Sequence, residues 1–147
     1  MQKQKCFTLV ELVVVVMILG ILAAVAAPRL LSTSGTATDN GLQQTLAVVR
    51  DAIERYAAEN GGKLPGSDGS EATFKTDLKD FLRGNFPTCP VGPPAAQDTT
   101  VLVSQDDPLV GDAGPSDGWR YNNVTGEFIV NYDQPTKVDS NLNYDDL

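Results

Sequence analysis

The run from Phe7 to Ala27 constrains this chain more than anything else in it. It reads FTLVELVVVVMILGILAAVAA, twenty-one residues with one ionisable side chain, Glu11. As a helix it spans about 31 Å at a rise of about 1.5 Å per residue, which matches a hydrocarbon core of about 30 Å. A soluble helix this apolar must be surrounded by core. A chain of 147 residues makes one modest domain, with too little interior to surround it. The segment therefore reads as membrane-inserted. Lys3 and Lys5 precede it, and the positive-inside rule keeps them cytoplasmic and sends the residues after 28 across the membrane.

Three kinds of segment fit that description. A secretory signal peptide is one, with Ala24-Val25-Ala26 as a small-residue cleavage site. The apolar region is longer than the usual stretch of about 7 to 15 residues, however, and Glu11 sits inside it. A plain signal anchor explains the length and gives Glu11 no purpose. The third kind rests on particular residues. Cys6-Phe7-Thr8-Leu9-Val10-Glu11-Leu12 resembles the processing site of type IV pilins and type II secretion pseudopilins. In that family a short basic leader is removed just before a Phe, a membrane peptidase methylates the new amine, and a Glu occupies the fifth mature position. The resemblance places the cut between Cys6 and Phe7, with Phe7 N-methylated and Glu11 as the family's Glu. Gly20 and Pro28 stand where many members carry a helix-loosening Gly and a Pro kink. The family normally has Gly before the Phe; this chain has Cys6, which is also small.

A carboxylate in a membrane helix costs about 2.5 to 3.5 kcal/mol at the centre and less near the interface. Glu11 lies one turn in, and such groups usually have a partner. Cleavage after Cys6 creates one in the Phe7 amine. Positions 7 and 11 are i and i+4 and face each other within one chain. Between chains, the Glu of an arriving subunit would pair with the amine of the one before it, an attraction that strengthens as helices exclude water. The resemblance implies this second pairing.

Beyond the span, residues 32 to 41, STSGTATDNG, are poor helix formers and are expected to bend or partly unwind. Leu42, Leu46, Val49, Ile53 and Tyr56 then recur at helical spacing as one apolar stripe, and Gly61-Gly62 supplies a stop. A short helix is expected from Ser70 to Arg83, with Phe74, Leu78, Phe81 and Leu82 as its apolar face. FPTCPVGPP follows, forced into an extended path by its prolines. Strands are expected at 99–103, 119–121 and 128–132, the last two as an antiparallel hairpin around Asn122-Asn-Val-Thr-Gly126. The tail from Asp133 is polar and expected to fray. IERYAAENGGKLP resembles the helix end of secretion pseudopilins, and GWRYNNVTGEF a hairpin common in pilin-like proteins. The expected fold is α+β and pilin-like: a long N-terminal helix, its first half membrane-inserted, packed on a head with one short helix and a small antiparallel sheet. The divisions are a leader at 1–6, a span at 7–28, an amphipathic continuation at 29–61, a head at 62–132 and a tail at 133–147.

Charge and composition exclude other classes. All of the net −8 comes from residues 61 to 147, which repels phosphate backbones and excludes nucleic acid as a partner. The chain has no histidine, so Ser-His-Asp and Cys-His catalysis and His-containing zinc sites are ruled out. No phosphate-binding glycine loop is present, and no enzyme activity is expected. Of the two cysteines, Cys6 leaves with the leader, and Cys89 remains as a buried or unpaired thiol. The loop SQDDPLVGDAGPSDG carries Asp106, Asp107, Asp112 and Asp117. The resemblance implies calcium there, because major secretion pseudopilins often bind it near their C-terminal strands. The spacing fits no EF-hand, and a solvated acidic loop without a cofactor is the expectation. Asn123-Val124-Thr125 matches a glycosylation acceptor but falls where turn chemistry already calls for Asn.

The function expected is that of a structural subunit. It is held in the bacterial inner membrane by one span with its head extracytoplasmic, then polymerises through its N-terminal helix into a type IV pilus or type II secretion pseudopilus. The helix-end resemblance favours the secretion type. Its partners would be identical or related pilin subunits, the prepilin peptidase and N-methyltransferase, an inner-membrane assembly platform, and lipid before assembly. The alternative is a signal-anchored, monomeric, extracytoplasmic binding domain.

Overall fold

The structure, a computed structural model, describes residues 8–147. Helix α1 runs from Leu9 to Glu59. It passes through Pro28, where a missing donor and a ring clash oppose helix, and resumes beyond it. It is also helical throughout 32–41, where bending or unwinding was expected. Helix propensity is a weak prior of less than about 1 kcal/mol per residue, and flanking helix on both sides removes the cost of a new nucleus. At the far end Gly61 and Gly62 take φ of 66° and 87°, and Gly62 N–H donates to the Ala57 carbonyl at 2.7 Å. That is the glycine stop read from the sequence, a bond from the residue after the left-handed glycine back to the last turn.

The chain divides into a unit up to Gly35 and a compact unit from Thr36 to Leu147. In the second unit the stripe of α1 is the floor of the core: Leu42, Leu46, Val49 and Ile53 are buried and Tyr56 is partly so. Helix α2, Glu71–Leu78, adds Phe74 and Leu78. It is shorter than the expected 70–83. Beyond it, Phe81 and Leu82 still donate to the Leu78 carbonyl at 3.0 Å, so the apolar face continues as turns and not as regular helix. A three-stranded sheet closes the core: β1 Val101–Ser104, β2 Trp119–Asn122 and β3 Phe128–Val130, in that order.

The β2–β3 hairpin is antiparallel, with Trp119 opposite Val130 and Tyr121 opposite Phe128. All four side chains are fully buried, on the one face that alternate strand residues share. Phe74 lies against Tyr121 with ring centroids 4.2 Å apart, and Trp119 against Phe128 at 5.3 Å; such pairs add about 0.5–1.5 kcal/mol each beyond area burial. The Trp119 indole N–H donates to the Pro87 carbonyl at 3.0 Å, which fixes the proline-rich segment against the sheet. The sheet as a whole corrects the antiparallel expectation, because β1 pairs with β2 in parallel, Val101 beside Trp119 through Ser104 beside Asn122. A parallel neighbour requires a crossover, and residues 105–118 supply it without a helix.

The tail is a second correction. It does not fray. Tyr144 is buried, with its hydroxyl donating to Asp39 Oδ1 at 2.9 Å, and Asp39 Oδ2 accepts the Val138 N–H at 3.1 Å. Arg50 of α1 donates from Nε to the Phe128 carbonyl at 3.0 Å and from Nη1 to the Leu147 main-chain oxygen at 2.8 Å. Polar composition hid a segment that is held by a few well-placed hydrogen bonds to α1.

Candidate assembly surface

The surface that sets this chain apart is the first part of α1. Leu9–Ala27 has a mean hydropathy of 2.9 and no residue buried within the structure. Thirteen large apolar side chains between Leu9 and Val25 are about half exposed or more. Leaving each in water forgoes about 1.5–3 kcal/mol, tens of kcal/mol together, against a whole-domain stability of about 5–15 kcal/mol. This stretch therefore needs a non-aqueous environment, lipid or another protein, that the described residues do not provide.

At the start of that helix Thr8 and Glu11 bond reciprocally. Glu11 Oε2 accepts the Thr8 N–H at 3.1 Å and the Thr8 hydroxyl at 2.9 Å, while Thr8 Oγ1 accepts the Glu11 N–H at 3.2 Å. This is a capping box, in which two helix-end donors are satisfied by each other's side chains. Its signature, Thr-x-x-Glu before an apolar run, stands in the sequence and went unread there beside the stronger question of the carboxylate's charge. Glu11 thus has a local neutral partner, and Thr8 tethers it near the helix start. The Phe7 amine expected as its ionic partner, and the Cys6–Phe7 cleavage position with its leader, lie outside the described residues.

Gly20 lies on the exposed helix, and a Cβ there would meet nothing within 4 Å. Glycine in a helix interior costs about 1 kcal/mol relative to Ala, so no packing among the described residues accounts for it. Pro28 lies within α1.

The acidic loop does not gather its carboxylates. Arg120, on the sheet face opposite Trp119 and Tyr121, donates to Asp106 at 2.8 Å, to Asp112 at 3.4 Å and to the Val110 carbonyl at 2.8 Å. Asp117 accepts the neighbouring Ser116 hydroxyl at 3.0 Å, and Asp107 is exposed. Among the described residues no group of three or more His, Cys, Asp or Glu side chains is placed to hold a metal ion. The loop's charge is organised around a guanidinium, which also pins the crossover between β1 and β2. Asn122 supplies the turn chemistry, its Oδ1 accepting the Val124 and Thr125 N–H groups at 2.8 and 3.0 Å. Asn123 of the acceptor triplet is buried, donating to the Gly66 carbonyl at 3.2 Å. Cys89 is the buried free thiol expected, and burial pushes it up to about 11.

Known proteins resemble the chain. The prokaryotic N-terminal methylation motif matches residues 1–27. The type IV narrow pilus major component PilA5 of Thermus thermophilus is 42% identical over 90 residues, covering 52% of this chain and 78% of that protein. The type II secretion system core protein G of Klebsiella pneumoniae is 29% identical over 87 residues, 59% of this chain and 62% of the relative. The protein of that name from Vibrio cholerae is 36% identical over 72 residues, covering 49% of each. The chain thus spans about half to three-fifths of the length of these secretion-system relatives. No solved structure matches it. An apolar N-terminal helix in front of a small α+β head is the pilin-like architecture, and the matches agree with it. The chain belongs to the family of type IV pilins and type II secretion pseudopilins.

Proposed function

We propose that the protein is a structural subunit that polymerises through α1 into a type IV pilus or a type II secretion pseudopilus. The observation that carries this reading is the wholly exposed apolar stretch Leu9–Ala27, capped at its start by the Thr8–Glu11 box. Before assembly the stretch lies in the inner membrane, with the head on the extracytoplasmic side. On assembly it exchanges lipid for the equivalent helices of other subunits, so apolar surface stays out of water throughout. A peptidase cuts between Cys6 and Phe7 and methylates the Phe7 amine. Glu11, already held at the helix start, then pairs with the amine of a neighbouring subunit and sets the axial register. Gly20 lets helices approach closely, and Pro28 relaxes the helix where it leaves the filament axis. The matched motif of residues 1–27 supports the processing step. The relatives named as pilus and secretion components support the two filament types. The head's role is to coat the filament.

The mass of the native protein tests this directly. Loss of residues 1–6 with a gain of about 14 Da for one methyl group is the expected result. An intact Met1, or a start near residue 27, overturns it. Glu11→Ala is expected to be processed normally and to yield no filament; normal assembly of that variant would remove the role given to Glu11. Deleting the gene and assaying secreted enzymes and surface fibres separates the two filament types.

A further inference from the structure

The head carries a groove that its own fold leaves open. It holds about 600 Å³ and runs along α1 from Gly41 to Arg55, with the segment after α2 as its other wall. Val48, 57% exposed, lies on the helix side. Phe81, Leu82 and Pro87 face it, and Arg55 and Arg83 sit among the lining residues. Arg55 is already paired with Asp51 at 2.8 Å, both side chains in solvent. Arg83 is exposed and makes no ion pair among the described residues. An apolar tip with a carboxylate beside it would complement these groups.

This chain carries such a tip. Among the described residues outside the apolar span and the groove, the large exposed apolar side chains are Leu102, Val110, Val124 and Val138. Of these, only Val110 has acids on both sides within the same loop and no cation beside it in sequence, in Asp106-Asp107-Pro108-Leu109-Val110-Gly111-Asp112. The charges are distributed to match. Residues 84–147 hold ten acids and two bases, whereas residues 40–83, which include the groove, hold seven acids and six bases. The groove lies beside α1. The 106–112 loop is tied by Arg120 to the sheet face turned away from α1. It also bonds the tail, the Gly111 N–H donating to Asp145 Oδ2 at 2.9 Å, and none of its residues lines the groove.

We propose that the α1 groove receives the 106–112 loop of a second copy, with Val110 against Val48, Phe81 and Leu82, and Asp107 against Arg83. The contact joins two different surfaces, the groove of one copy and the loop of the next, so it can repeat along an open filament where the rotation between copies does not close. It rests on the filament reading and adds a lateral contact between heads to the helix contacts of the shaft. Arg120 takes up Asp106 and Asp112, which leaves Asp107 as the loop carboxylate free to pair across the interface.

The test is cross-linking in assembled filaments. Val48→Cys and Val110→Cys in one chain are expected to give, with a short bis-maleimide, a ladder of dimers, trimers and longer species. Each single variant should give none beyond the wild type. Cys89 is buried and its thiol is raised to about 11, so it does not compete. Filaments that form without the ladder overturn the proposal and leave the filament reading intact. Cross-linking of Val48→Cys to Met17→Cys instead overturns it by giving the groove to the apolar helix of another copy. A wild-type chain that makes no filament removes both. Independently of any cysteine, Arg83→Glu and Asp107→Lys are each expected to lower filament yield by up to about fivefold, and the double variant to restore it. Two additive losses without rescue overturn the pairing.

Discussion

Cys89 sits beside Gly118, whose missing side chain is what admits it. A Cβ at position 118 would lie 2.7 Å from Cys89 Cβ and 2.7 Å from the Ala96 carbonyl oxygen. Burial raises the thiol from its ordinary value of 9.0 to about 11. At pH near 8 this leaves about a hundredfold less thiolate than a free cysteine, so alkylation of the folded protein should be slower by at least that factor than after denaturation. Tyr144 is raised to about 12, chiefly by burial and then by its bond to Asp39; burial raises Tyr121 as well. All three groups are neutral when protonated, and the folded state holds those protons more tightly than the unfolded one. Their contribution is complete below about pH 9 and is lost as pH rises through the folded values. The unfolding midpoint of the full chain in detergent is expected to fall between about pH 8 and pH 10.5, and Cys89→Ala to lessen the fall. A flat profile would remove the contribution assigned to these groups.

At the scale of elements, the tail and α1 hold one another through two bonds to Asp39 and one from Arg50. Tyr144→Phe leaves Asp39 Oδ1 without its donor and is expected to cost about 1–3 kcal/mol, which lowers the thermal midpoint by about 4 °C or more. Truncation after Asp133 should cost more and open α1 near Leu42 to protease; equal stability of full and truncated chains would contradict this. How legible these elements were follows from what carries each one. The core stripe of α1, its glycine stop and the hairpin were readable because each depends on a local period or a local turn. The parallel partnership of β1 with β2 was not. It depends on a crossover held by Arg120 through residues up to fourteen positions away, which leaves no period in the sequence. Helix at 32–41 was missed because weak local preference yields to helix on both sides. The docked tail was missed because one tyrosine and a few polar bonds do the work that an apolar stripe usually signals. At the candidate surface the apolar run and Glu11 stood out at once, while the Thr8 half of the box was overlooked.

For the whole molecule, the charge of −8 is concentrated on the later part of the head and would coat a filament in like charge. Such filaments should stay dispersed near neutral pH at low salt and bundle as pH falls toward the isoelectric point near 4.3. Light scattering during an acid titration checks this, with bundling expected at higher pH when salt is added. Filaments that bundle equally at every pH would show that head charge does not govern their association. The clasp between the tail and Asp39 also joins distant parts of the chain. Tyr144 lies 105 positions beyond the carboxylate it serves, so a chain cut at residue 133 keeps its hairpin but lacks both the hydroxyl for Asp39 and the main-chain oxygen for Arg50. The stretch from 134 to 147 is thus a latch whose catch is set on α1 long before it in the chain, and a head without it has a floor but no fastening.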